Sequence, residues 1–306
     1  MHPVAAIPAN VIPVDTLTEP LAYDFFVRGL VVAGLVGALC GMVGVFIVLR
    51  RMSYIGHGLS HSVFGGAVVA YLLHWNFYLG AGLWGFLSAL LINATARRRD
   101  IGGDAAIGIV TTASFALGVA LISRSRSFTR NFEAALFGNI LGVTTEDIRI
   151  IAAVGAVVAV AVLLFYRQLL FTTFDAELAR VHGVPAGWVD TGFALALAAT
   201  IVVSMNVVGV TLIAAAIVIP PSTARLLTSS FGLLLLLSTL IGGLTGLVGM
   251  YLSYYQDIAS GSAIVLLAAA LFAAVYLATT VRRALGSSPA PTPAASPARG
   301  PATDPI

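Results

Sequence analysis

Seven stretches of this chain, at 29–49, 52–96, 105–123, 150–166, 191–224, 226–256 and 258–281, contain no charged side chain at all. Runs of that kind count candidate membrane spans. A helix crossing a hydrocarbon layer needs about 20 apolar residues. Lipid offers no partners for free backbone N–H and C=O groups, so the crossing segments must be helices. The run 52–96 is long enough for two crossings, with a turn near His74-Trp75-Asn76, and 191–224 for two more, with a break near Asn206. Counting one span in each of the others predicts about nine, with eight the other count these lengths allow. The expected fold is therefore an all-α membrane protein, a polytopic helical bundle.

Composition narrows the chemistry. Charged residues make up 9% of the chain, against about 25% in a typical soluble protein. All 16 basic residues are arginine, and lysine is absent. A phosphate-binding loop of the Walker type needs its lysine to reach the phosphates, so this chain does not hydrolyse ATP by that route. The net charge of +3 reads as an orientation signal and not a nucleic-acid patch, because the arginines stand in short clusters between apolar runs. If the spans alternate, Arg50, Arg51, Arg97, Arg98, Arg99, Arg167, Arg180, Arg225, Arg282 and Arg283 fall on one side, which should be the cytoplasm. Arg28, Arg124, Arg126, Arg130 and Arg149 take the other. The lone Cys40 lies in an apolar run and reads as a small core residue.

The chain divides into an N-terminal extension (1–24), a transmembrane domain (25–284) and a Pro/Ala/Ser-rich tail (285–306) expected to be disordered. Residues 131–143 read as a short helix that does not cross. Gly34, Gly37, Gly41 and Gly44, then Gly242, Gly243, Gly246 and Gly249, have the three- and four-residue spacing that lets helices approach closely. Pro220-Pro221 is expected to end a span, since proline cannot continue the helix ladder. His74 beside Trp75 reads as interfacial, and Glu133, Asn139 and Asp257 as solvated or capping groups.

Two segments carry chemistry. His57 and His61 sit four residues apart in the charge-free run, so one helix face holds both. Ionisable groups at that depth are costly and mark substrate pathways. Neutral imidazole ligates first-row divalent metals well. Two ligands are too few for a closed structural zinc site, which takes four, but a transport site must also release its ion. A zinc-protease helix would need glutamate directly after the first histidine, and position 58 is glycine. Ser60 and His61 are adjacent and do not face each other on a helix, which argues against a serine hydrolase. The second segment, residues 175–183, lies between spans on the arginine-rich side. Leu178, Val181 and His182 share a face of a short helix, Asp175, Glu177 and Arg180 are polar, and Gly183 with Pro185 marks its C-terminus. Such a helix suits docking into a soluble partner.

At these residues the chain resembles the membrane-spanning permease subunit of ABC transporters for zinc, manganese and iron. The resemblance rests on Leu49-Arg50-Arg51-Met52-Ser53 leading into Gly56, Ser60 and His61, then Leu136-Phe137-Gly138, the segment 144–147 and the segment 175–183. It spans residues 25–283, nearly the whole membrane domain. It implies that positions 57 and 61 line the ion path. The family usually has aspartate where this chain has His57, and the change to imidazole tilts the site from manganese towards zinc or iron. Where the family often has Leu-Pro-Gly, this chain has Phe64-Gly65-Gly66, which leaves a kink to glycine. The family's Phe-Gly-Asp is Phe137-Gly138-Asn139, without the carboxylate. The resemblance makes 175–183 the cytoplasmic helix that meets the ATPase, with Asp175, Glu177, Leu178, Ala179, Arg180, His182 and Gly183 as its coupling residues.

The function expected is that of the permease half of an ATP-driven importer for a divalent transition-metal ion, in a cell inner or plasma membrane. The metal is the transported substrate, and no permanently bound cofactor is expected. The partners expected are a second permease copy, cytoplasmic ATPase subunits, an extracytoplasmic metal-binding protein and the lipid bilayer. The alternatives are an ABC permease for a metal chelate of siderophore or cobalamin type, and a secondary metal transporter or channel.

Overall fold

A computed structural model describes residues 18–96, 102–125 and 138–286. Among them there are eleven α-helices and no strand: α1 (Asp24–Leu49), α2 (Ser53–Leu72), α3 (Phe77–Ala96), α4 (Gly103–Ser125), α5 (Thr145–Leu164), α6 (Tyr166–Phe174), α7 (Ala176–Val181), α8 (Ala186–Val208), α9 (Ile213–Leu227), α10 (Phe231–Gln256) and α11 (Ser260–Gly286). Most of the extension and tail, the arginines at 97–99, 126 and 130, Glu133 and residues 131–137 lie outside the described residues. Of the short helix expected over 131–143, the described part is a 3-10 turn at Ile140–Gly142.

Among the described residues, seven helices are long and apolar enough to cross a membrane: α1, α3, α4, α5, α8, α10 and α11. This is a multi-pass membrane protein. About nine spans were expected, and α2 and α9 are the two expected spans that do not combine the length with the apolarity. The 20-residue α2 has the length of a span but carries both histidines, and it is not among the seven. The 15-residue α9 reaches only about 22 Å at 1.5 Å per residue.

Helix α1 is the central post. It packs along α10 and also meets α5, α8 and α9, while α2, α3 and α4 pack on one another and α8 joins the two groups. Glycine sets the α1–α10 contact. A Cβ at Gly37 would collide with the Gly242 carbonyl, one at Gly41 with that of Ser238, and one at Gly246 with that of Ala33. The fully buried Ser238 hydroxyl donates to the Gly41 carbonyl at 2.5 Å. The small-residue spacing is thus the seam of the bundle.

Two expected breaks move. The first falls at Gly209 (φ +86°, ψ 152°), three residues past Asn206, because glycine reaches that positive-φ conformation without a Cβ clash. Pro220 and Pro221 lie inside α9 and do not end it. Proline removes the N–H that would pair with the carbonyl four residues earlier. The Ile217 carbonyl that Pro221 leaves free points at Gly44 of α1, where no side chain stands in its way. Helix α2 likewise runs unbroken through Phe64-Gly65-Gly66. Its glycines are filled by close neighbours, Gly65 by the Ser114 backbone of α4 and Gly66 by Trp84 of α3.

Turn chemistry sets the other ends. Thr144 and Asp147 form a reciprocal capping box at the start of α5, and the Tyr78 hydroxyl donates to Asp147 Oδ1 at 2.6 Å, tying α3 to α5. Asn139 accepts from Gly142 N at 3.2 Å, and Asp257 takes the left-handed position (φ 51°) after α10. Both expected capping residues are local caps.

Candidate metal path and docking helix

The histidine pair sits near the start of α2, one turn and two turns in. Its rings meet edge to face, with centroids 4.4 Å apart. His57 is exposed and His61 half-buried, with its ring 5.1 Å from that of Phe115 on α4. The Nδ1 atom of His61 is buried and has no hydrogen-bond partner among the described residues. Buried polar atoms are nearly always paired, so this one is available to a ligand. Ser60 faces the other way. It is fully buried, donates to the His57 carbonyl at 2.8 Å and lies 3.2 Å from the Val210 carbonyl. Ser62 donates to Ser88 at 2.5 Å. Both hydroxyls bind α2 into the bundle and leave the imidazoles on the open face.

That face is a cavity of about 430 Å³ between α2 and α4, lined by Tyr54, His57, His61, Asp104, Ile107 and Thr111 among others. Thr111 donates to the Ile107 carbonyl at 2.7 Å. Among the described residues no three His, Cys, Asp or Glu side chains converge closely enough to hold a metal. One chain therefore offers two metal ligands together. Asp104, on the cavity wall, escaped the sequence reading because nothing in spacing alone connects α4 to α2.

The segment 175–183 forms α7. Asp175 is its N-cap, accepting from Glu177 N at 3.0 Å and Leu178 N at 2.8 Å. Gly183 is left-handed (φ +78°) and Val184 N returns to the Ala179 carbonyl at 2.9 Å, closing the helix as glycine does. Ala179 is buried and anchors it. Glu177, Leu178, Arg180 and Val181 are exposed. His182 bonds the Leu178 carbonyl through Nδ1 at 2.9 Å and stacks near Phe171.

Arg50, an orientation charge within the segment 49–53, joins three helices. Arg50, 10% exposed, donates to Asp190 Oδ1 of α8 at 2.7 Å. It also reaches Thr172 (2.9 Å) and Thr173 (3.1 Å) of α6 and lies 4.8 Å from the Phe193 ring centre. Asp190, 140 residues away, gave no local signal.

A helical bundle with seven membrane-length spans, an imidazole pair on an open face and a short capped helix at the arginine-rich end defines a membrane permease. The chain belongs to the ABC 3 transport family, which it matches over residues 22–279. It is 37% identical over 256 residues to the manganese transport system membrane protein MntC of Halalkalibacterium halodurans, covering 84% of this chain and 88% of that one. It is 35% identical over 263 residues to a Haemophilus influenzae protein described as "Probable iron transport system membrane protein", covering 86% and 93%. Among solved structures it is similar to PsaBC from Streptococcus pneumoniae in complex with Fab, with a TM-score of 0.78, 35% identity, and 85% of this chain and 94% of that one covered.

Proposed function

We propose that this chain is the permease of an ATP-driven importer for a bare divalent transition-metal ion, with His57 and His61 as the ligands that hold it in transit. The observation that carries the reading is the 4.4 Å imidazole pair, with the unpartnered His61 Nδ1, on an open cavity in a membrane bundle. Relatives named for manganese and iron transport support a metal cargo. Imidazole nitrogen suits the zinc-to-iron end of that range. A chelate would bring its own ligand shell and have no use for paired imidazoles.

The open face supports a homodimer. Tyr54 is 74% exposed and His57 is exposed beside it. Facing lipid, both imidazole and phenol would be costly. A second copy related by a twofold axis would bury the face isologously. It would also raise the ligand count from two imidazoles to four, the number a tetrahedral site takes.

The α6–α7–α8 corner is the proposed ATPase dock. It exposes Phe174, Val181 and Trp188 at 68%, 83% and 79%, and its residues Asp175, Glu177, Leu178, Ala179, Arg180, His182 and Gly183 would form the coupling helix. ATP hydrolysis belongs to that partner, since this chain has no lysine for a phosphate loop. An extracytoplasmic binding protein would deliver the ion from the opposite end.

The test is uptake of zinc, manganese and iron by liposomes holding the chain with its ATPase and binding protein. ATP-dependent uptake lost in His57→Ala/His61→Ala, with assembly intact, is expected. Unchanged uptake in that variant would make the pair structural.

A further inference from the structure

The cavity holds one carboxylate as well as two imidazoles. Helices α2 and α4 lie parallel and in register. Gly58 packs against Ile107 and Thr111, the His61 ring against Phe115, and Gly65 against Ser114 and Gly118. From Gly58 to Gly65 on α2, the contacts advance from Ile107 to Gly118 on α4. Asp104 therefore lies level with Tyr54, beyond His57 on the side of Arg50. At 1.5 Å per residue, the three residues from His57 to Tyr54 put it about 4.5 Å further along the axis than His57.

Two of the other described carboxylates at this end are committed, and Glu177 is exposed on α7 and does not line the cavity. Asp190 is paired with Arg50 at 2.7 Å, and Asp175 caps α7. Asp104 has no hydrogen-bond or ion-pair partner among the described residues, is exposed and lines the histidine cavity. His61, His57 and Asp104 form a descending series of metal-ligating groups towards the arginine-rich end. Neutral imidazoles supply no charge to offset a dication. A path that conducts needs neighbouring sites, each weak enough to hand the ion on.

We propose that Asp104 is the exit ligand of this path, taking the ion from the two histidines by exchange of metal–nitrogen for metal–oxygen bonds. The proposal rests on the reading of His57 and His61 as cargo ligands. It deepens that reading by adding an anionic step on the release side.

The test uses the complete transporter in liposomes and in detergent, with Zn²⁺ or Mn²⁺ as probe, for wild type, Asp104→Asn, Asp104→Glu and His61→Ala. Asp104→Asn is expected to slow uptake by about tenfold or more, the low end of what losing a supporting group costs a metal site. The metal retained per complex in detergent should stay at the wild-type level. Asp104→Glu should restore uptake. His61→Ala should lose both uptake and retained metal. Wild-type uptake by Asp104→Asn would overturn the exit role, as would loss of retained metal in that variant or failure of Asp104→Glu to restore uptake. Undiminished uptake in His61→Ala as well would overturn the metal path itself, and Asp104 with it.

Discussion

The Arg50 guanidinium, at the C-terminal end of α1, donates to Asp190 Oδ1 in the first turn and a half of α8 at 2.7 Å. Two further bonds reach Thr172 and Thr173 on α6. Three residues after Arg50 the chain begins α2, with His57 one turn on. A single side chain thus joins the helix leading to the docking corner with the start of the helix that carries the histidines.

Removing one partner strands the other. Asp190→Ala should destabilise the folded chain by at most about 1.5–3 kcal/mol, the range for hydrogen bonds to charged groups. Because the Asp190 side chain is 38% exposed, the lower end is expected. Asp190→Asn, which keeps an acceptor for Arg50, should cost less. Thermal unfolding of the purified protein in detergent would read this, and equal midpoints for wild type and Asp190→Ala would contradict it.

The α1–α10 seam has no room for a methyl group. Gly37→Ala puts Cβ onto the Gly242 carbonyl, and the helices must separate. Gly82→Ala in α3 meets nothing within 4 Å and should be neutral or stabilising by about 0.5–1 kcal/mol, the ordinary advantage of alanine in a helix. Yields of monodisperse protein and melting temperatures should diverge between the two. Matching behaviour would show that the seam tolerates a shift.

Asp175→Ala removes the cap from a helix of only six residues and should cost about 1 kcal/mol locally. With α7 as the coupling helix, ATPase co-purification should drop while the bundle stays folded. Asp175→Asn keeps an accepting oxygen and should retain binding. If Asp175→Ala binds ATPase as well as wild type does, α7 is not the dock.

Returning a carboxylate to the first histidine position should harden the site. His57→Asp is expected to shift competition uptake from zinc towards manganese, since oxygen ligands suit the harder ion. A zinc-to-manganese ratio unmoved by this change would locate selectivity elsewhere.

Helicity, the membrane class, the helix-packing role of the spaced glycines and the pairing of His57 with His61 on one face were legible in the chain. Each depends on local rules: apolar run length, backbone satisfaction in lipid, small-residue spacing and 3.6-residue periodicity. The same rules misplaced the end at Asn206 and took Pro220-Pro221 for a stop. In the first case a glycine three residues further on takes the positive-φ turn, and in the second a tertiary contact intervenes, Gly44 of another helix receiving the freed carbonyl.

What only the tertiary structure decided are the relations between distant parts of the chain. The parallel register that brings Asp104 into the histidine cavity and the 140-residue reach from Arg50 to Asp190 have no local signature. Periodicity specifies which face of a helix a residue occupies. It says nothing of which other helix that face will meet, because that is set by the packing of the whole bundle.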